Sequence, residues 1–325
     1  MIKRPWFAVG LFLKLSLLSY GAHAVERLVV ADAPTLLTGL VSIAAEKGYF
    51  AEQGLQVEIK DFKTGDDATR AMFEGKADIA TVAETAFVFD SFRETDFSLF
   101  ATIGSWDNEV KIVARADRNI NGIADLRGKR VGTHARISVH FFLYQALLKH
   151  GLTMRDIKPV FKKAAELPAA LEAGEIDAFS LREPFIGEAR QRLGGKVLVF
   201  AEPGLYWKSF SLVARNQILA TRSVAVGAFL RALRQAEILV REQPREAANI
   251  LAARLNSTPE KMAAELAQAK LRLGLEQRLV YVLESAATWA LKENLVTAQG
   301  VPNYLLLIDE DALRKVKPNS VTIIK

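Results

Sequence analysis

The sequence predicts an α/β protein built as two lobes. Short apolar runs alternate with helical stretches from Leu28 to about residue 200, which implies largely parallel sheets with helices on both faces. One helix-to-strand unit also occurs twice, as "FEGKADIATVAETAF" and "EAGEIDAFSLREPF". In each copy a helix closes on glycine (Gly75, Gly174), an aspartate opens an apolar strand (Asp78, Asp177), and a glutamate follows where the strand ends (Glu84, Glu183). A chain of 325 residues also exceeds the roughly 250 that one core usually serves.

In order, "RLVVAD" reads as a strand, "LVSIAAEKGYFAEQ" as a helix stopped near Gly54, and "LQVEIKDF" as a strand. "DDATRAMFEG" is a helix, "DIATVA" a strand, "TAFVFDSFRE" a helix and "FSLFATIG" a strand. "VKIVARAD" leads into a second series. There "KRVGTH", "IKPVFKK", "DAFSLRE" and "KVLVFAE" are strands, and "SVHFFLYQALLKHG" and "ELPAALEAG" are helices. After "SFSLVARN" the spacing becomes helical and no strand is expected from Thr221 to Asn294. Pro244 and Pro259 fall at first-turn positions, where a fixed φ suits a helix start. The tail reads as a short helix followed by an extended end.

The first 24 residues have a basic start (Lys3, Arg4), an apolar middle and an Ala22-His23-Ala24 end, the layout of a secretory signal peptide cut before Val25. That segment carries three cations and no acid, so the net charge of +6 falls to +3 without it. The basic residues are scattered and form no nucleic-acid footprint. The count of 0 cysteines excludes lipid anchoring, disulfides and thiol chemistry. An exported, monomeric protein without a membrane span is expected.

Ligands in open parallel sheets sit beyond the carboxyl ends of the strands, where helix starts offer free N–H groups. Four such ends occur: Asp32 to Thr35, Glu84-Thr85, His134 to Ser138, and Arg182-Glu183-Pro184. Ser138 precedes an apolar helix, so its hydroxyl suits an N-cap while neighbouring amides face an anion. Arg136 beside it suits a carboxylate, sulfonate or phosphate. Asp32, Glu84 and Glu183 suit an amine or ring N–H, the two glutamates serving equally well as helix caps. Trp106 fits a lid or a packing role, and His134 alone of the histidines falls at a strand end. Thr35, Thr85 and Arg182 complete the candidate set. The histidines lack metal-ligand spacing, and no P-loop, GxSxG, HExxH or Rossmann fingerprint occurs, so neither catalysis, metal nor cofactor is expected.

The stretches "AAEKGYFAEQGLQVEI", "MFEGKADIATVAETAF", "ADLRGKRVGTHARISVHFFLYQALLKHGL" and "ALEAGEIDAFSLREPF" together resemble the solute-binding proteins of nitrate/sulfonate/taurine-type ABC transporters. The resemblance implies a type II periplasmic-binding-protein fold that closes on a small molecule and hands it to a membrane permease and its ATPase. It implies a first lobe of residues 25–114 with 210–325, a second of 115–209, and crossings near Val113-Ala114-Arg115 and Ser211-Leu212-Val213. Family members often carry a Gly-Ser pair where this chain has Arg136-Ile137. A sensor subunit that signals to a receptor stays open as an alternative. A thiamine-pyrimidine-related role is disfavoured by the missing cysteines.

Overall fold

The computed structural model describes residues 25–324, so the expected signal peptide lies outside the described residues. Two five-stranded sheets form, each with one antiparallel strand among parallel neighbours. The first contains β1 (Glu26–Asp32), β2 (Leu55–Asp61), β3 (Ile79–Ala83), β4 (Phe97–Trp106) and β10 (Lys208–Arg215), in the order β2-β1-β3-β10-β4. The second contains β5 (Lys111–Arg115), β6 (Arg130–Thr133), β7 (Lys158–Phe161), β8 (Ala178–Leu181) and β9 (Val197–Phe200), in the order β7-β6-β8-β5-β9. Each order is the other's copy, with β10 and β5 as the reversed strands.

The repeated motif explains how each copy holds its register. Asp78 accepts a hydrogen bond from the Val29 amide through its side chain at 2.7 Å and donates its own amide to the Val29 carbonyl at 2.8 Å. Asp177 makes the same pair of bonds with Arg130, at 2.9 and 2.8 Å. The aspartate therefore pins β3 to β1 and β8 to β6, at a point where backbone pairing alone spans only two residue pairs. The glycines before them, Gly75 and Gly174, both sit at φ 73°, the left-handed helix ending that glycine adopts without a Cβ penalty.

The expected crossings fall inside strands. Val113–Arg115 belongs to β5, which pairs with β8 and β9, and Ser211–Val213 belongs to β10, between β3 and β4. The chain passes between the sheets at residues 107–110 and 201–207 instead, because both reversed strands are paired along their whole length. The first predicted helix is also split, into α1 (Gly39–Glu46) and α2 (Tyr49–Glu52), since Gly48 at φ 73° turns the chain.

The other helices of the repeats are α3 (Gly65–Phe73), α4 (Glu84–Ser91), α5 (Ser138–Lys149), α6 (Leu167–Glu172) and α7 (Phe185–Leu193). The C-terminal block supplies α8 (Asn216–Thr221), α9 (Ser223–Glu242), α10 (Pro244–Arg254), α11 (Pro259–Leu266), α12 (Gln277–Lys292) and α13 (Asp311–Val316). α9 and α10 pack on α1, Phe229 of α9 stacks on Phe50 of α2 at 5.0 Å, and α12 packs on α4. Residues 270–274 are extended, not helical: Lys270 and Gly274 bond Ser105 and Thr102, covering the free edge of β4. No helix among the described residues is long and apolar enough to cross a membrane.

Candidate functional site

The strand ends of the two sheets meet along a seam where α5 of the second lobe packs against α4 and α12 of the first. Trp289 of α12 is fully buried there. The His140, Phe141 and Tyr144 rings lie 5.1, 5.2 and 6.5 Å from it, and Phe89 lies at 6.0 Å.

Glu84 opens α4 directly after β3, and its side chain turns inward to complete burial. The Tyr206 hydroxyl donates to one carboxylate oxygen, and the Ser209 amide donates to the other at 2.9 Å. Burial pushes the Glu84 carboxyl above its ordinary range, against the pull of these bonds and of Lys208. Burial and the neighbouring carboxylate hold the Tyr206 proton in place, so the phenol acts as a donor. The Tyr206 ring packs on Phe141 and Phe142 of α5, at 5.6 and 6.4 Å. Tyr206 thus links α4 of one lobe to α5 of the other from within a crossing segment.

A second buried group lies beside it. Lys208 is salt-bridged to Glu109, and the Arg182 guanidinium stands 4.0 Å from the same carboxylate. Burial works against the charge on Glu109, yet Lys208 and Arg182 outweigh it and hold the carboxyl below its usual range. Burial lowers the Lys208 ammonium, and Glu109 pulls the other way.

Asp32 ends β1 with no exposed surface. One oxygen accepts from the Thr81 hydroxyl at 2.8 Å. The other hydrogen-bonds nothing among the described residues, and Arg254 stands 4.0 Å from it. Burial raises its carboxyl to about 6, against the usual 3.8. The folded state therefore holds this proton more tightly than the unfolded chain, and stability falls as pH rises through this interval. Asp32→Asn keeps the Thr81 contact and removes the ionisation. Urea unfolding of both proteins at pH 4 and pH 7 should show wild type losing up to about 3 kcal/mol relative to the variant. Parallel curves would mean that Arg254 fully compensates the buried charge.

The remaining sequence candidates divide. Thr35 caps the short turn Leu36–Thr38 through a 3.1 Å bond from the Leu37 amide, and Thr85 is buried in the first turn of α4. His134 is half-buried just after β6. Arg136 is exposed, and its guanidinium stacks over the Phe89 ring of the first lobe at 4.6 Å. Its backbone stands at φ 64°, where glycine is favoured, so the arginine keeps a glycine-like turn at a conformational cost. Ser138 does not cap its helix: Ile137 occupies the N-cap position and Ser138 is the first helical residue. Glu183 bonds the Gly187 amide at 2.9 Å and so serves α7, not the seam. Trp106 ends β4 and borders a separate recess with Trp207 and Lys270.

The structure therefore joins Glu84 to α5, and Arg182 to a buried ion pair, through three residues that sequence reasoning missed: Tyr206, Lys208 and Glu109. The signal for two of them was "GLYWKSF", an aromatic-rich stretch running into a strand with a lysine at an apolar position. A cavity of about 970 Å³ between α8, α9 and the tail lies at the far ends of β4 and β10, bordered by Ser98 and Asn216. The convergent buried polar groups are at the seam, so we place the candidate site there.

Comparison with known proteins settles the lineage. The chain matches the model of the NMT1/THI5-like family over residues 38–247, more than half of its length. It belongs to that family. A Brucella abortus (strain 2308) protein named as a binding protein is 25% identical over 218 residues, 66% of this chain and 67% of its own. A Bacillus subtilis (strain 168) protein named as aliphatic sulfonates-binding is 28% identical over 216 residues, 64% of each chain. Among solved structures, the periplasmic aliphatic sulphonate binding protein SsuA of Escherichia coli superposes with a TM-score of 0.77 at 18% identity, covering 88% of this chain and 92% of that one. The fold of this family member is that of periplasmic binding proteins, α/β in two lobes.

Proposed function

We propose that this chain is the exported solute-binding component of an ABC import system, a monomeric binding protein and not an enzyme. It closes two lobes on a small anionic or amphoteric molecule and presents it to a permease. The first lobe is residues 25–106 with 208–325, and the second is 111–200, with movement taken up at the crossings 107–110 and 201–207. The observation that carries this reading is the Tyr206 bridge, whose hydroxyl bonds Glu84 and whose ring packs on Phe141 and Phe142. It sets a buried carboxylate from one lobe against the first turns of a twelve-residue helix from the other. The helix start suits an oxyanion, and Glu84 suits a donor on the same ligand, so no charge is left unpaired on closure.

A thermal-shift screen of alkanesulfonates, taurine, nitrate and small amino acids tests it. A true ligand at a hundredfold excess over its dissociation constant stabilises by about 2.7 kcal/mol. Small-angle scattering should show a smaller radius of gyration with that ligand bound than in the free protein, and an unchanged radius would argue for a rigid module. No stabilisation by any compound of these classes sinks the proposal. Arg136→Ala is expected to weaken binding of the ligand found by the screen by about 1.5–3 kcal/mol, the range for hydrogen bonds to charged groups. Calorimetry reads this directly, and unchanged affinity would restrict Arg136 to its stack on Phe89.

A further inference from the structure

Two departures from an ordinary helix start meet at the head of α5. Ile137 holds the N-cap position and has no side-chain oxygen with which to cap the first turn. Arg136 before it stands at φ 64°, a backbone that glycine adopts freely and arginine does not. His140, in the first turn of α5, answers both. Its Nδ1 accepts a hydrogen bond from the Arg136 amide at 3.3 Å. This resembles the reach-back of a capping-box glutamate to the N-cap amide, displaced by one residue. A ring nitrogen that accepts from an amide carries no proton, so the imidazole is neutral with its proton on Nε2. The surroundings agree: the Phe161 and Trp289 rings each stand edge-to-face with buried His140 at 5.1 Å, and Nε2 has no hydrogen-bond partner among the described residues. Burial lowers the His140 pKa to about 4, which keeps the ring neutral at physiological pH.

The side chain carried by that turn reaches into the other lobe. Its guanidinium stacks on Phe89 of α4 at 4.6 Å, and Asp66 in the first turn of α3 feels its charge. Arg136 is thus a strap from the second lobe to the first, while its amide is taken by His140 and withdrawn from the seam. We propose that His140 is the positioning residue of this strap, holding the left-handed turn so that Arg136 meets the seam with its guanidinium and not its amide. Its value for ligand binding rests on the seam reading above, whereas the positioning is a property of the ligand-free protein.

His140→Leu removes the acceptor, and His140→Asn keeps one, because the asparagine Oδ1 stands where Nδ1 stands in the ring. In the ligand-free chain, nuclear magnetic resonance should show an unprotonated Nδ1 in wild type and Arg136 side-chain protons shifted upfield by the Phe89 ring. That upfield shift should vanish in His140→Leu and return in His140→Asn. Stability should run the other way, since leucine suits the aromatic surroundings and a buried carboxamide does not. A role in packing alone would make the two readouts move together. Thermal unfolding supplies a second arm: the loss caused by His140→Leu should be clearly smaller in the Arg136→Gly background, where glycine adopts the turn unaided. All readouts are taken without ligand, so an empty ligand screen would count against the seam reading and not against this one. A protonated Nδ1 in wild type, an upfield Arg136 shift that survives His140→Leu, or equal losses of thermal midpoint in the two backgrounds overturns the proposal.

Discussion

Lys208→Met is expected to destabilise the protein by about 3–5 kcal/mol at pH 7, the cost of removing one partner of a buried ion pair. The Lys208 side chain is only 5% exposed and Glu109 only 14%, so the carboxylate left behind cannot recover its hydration. Arg182 at 4.0 Å offsets part of the loss, but it is itself more than a third exposed and screened by water. Urea denaturation measures the effect, and combining the change with Glu109→Leu should recover most of it, because two apolar side chains replace the pair without a stranded charge. A loss under about 1 kcal/mol in the single variant would show that Glu109 swings out to solvent and that the crossing is looser than its packing implies.

Trp289→Ala is expected to cost about 3–5 kcal/mol, the range for deleting a large buried aromatic side chain. Its distinctive consequence is geometric. Trp289 belongs to the first lobe, but three of its aromatic neighbours, His140, Phe141 and Tyr144, belong to the second. Removing it should loosen the lobes from one another as well as soften the core, and scattering should report a larger radius of gyration while far-ultraviolet circular dichroism stays near wild type. Lost stability with an unchanged radius would make Trp289 an ordinary core residue whose contacts with α5 contribute little.

The alternation of strands and helices, the duplicated unit and the helical C-terminal block could all be read from the residues, since each rests on local periodicity and on glycine at helix ends. The candidate site was legible only in part. Glu84 and Ser138 are visible as residues at strand ends, but Tyr206, which ties Glu84 to α5, sits in a loop whose destination depends on how two sheets are placed. Trp289 follows Leu279, Val282, Leu283 and Ala286 along one apolar helix face, so it reads as core, and nothing local tells which lobe that face will meet. Arg136 was expected to face a ligand anion, and its stack on Phe89 requires knowing that α4 and α5 become neighbours. The crossings were displaced because "VKIVAR" and "SFSLVAR" are strands whose pairing partners lie far along the chain. The extended stretch at residues 270–274 escaped notice because it has no alternation of its own and is straight only because β4 offers it an edge.

The reversed strands have a consequence for how the chain is made. β10 fills the gap between β3 and β4, yet it is separated from them by the whole of the second lobe. A nascent chain that has emerged only as far as residue 200 can complete the second sheet, but the first is still split, with β3 and β4 each lacking a neighbour. Such long-range closure slows folding, and it ties the first lobe's cooperativity to synthesis of the segment beyond Lys208. For the export proposed above, a chain that postpones its first core in this way would stay threadable through a translocation pore until most of it had passed. Truncations ending before Lys208 should then be captured by holding chaperones and degraded, and those ending after Arg215 should begin to resist proteolysis.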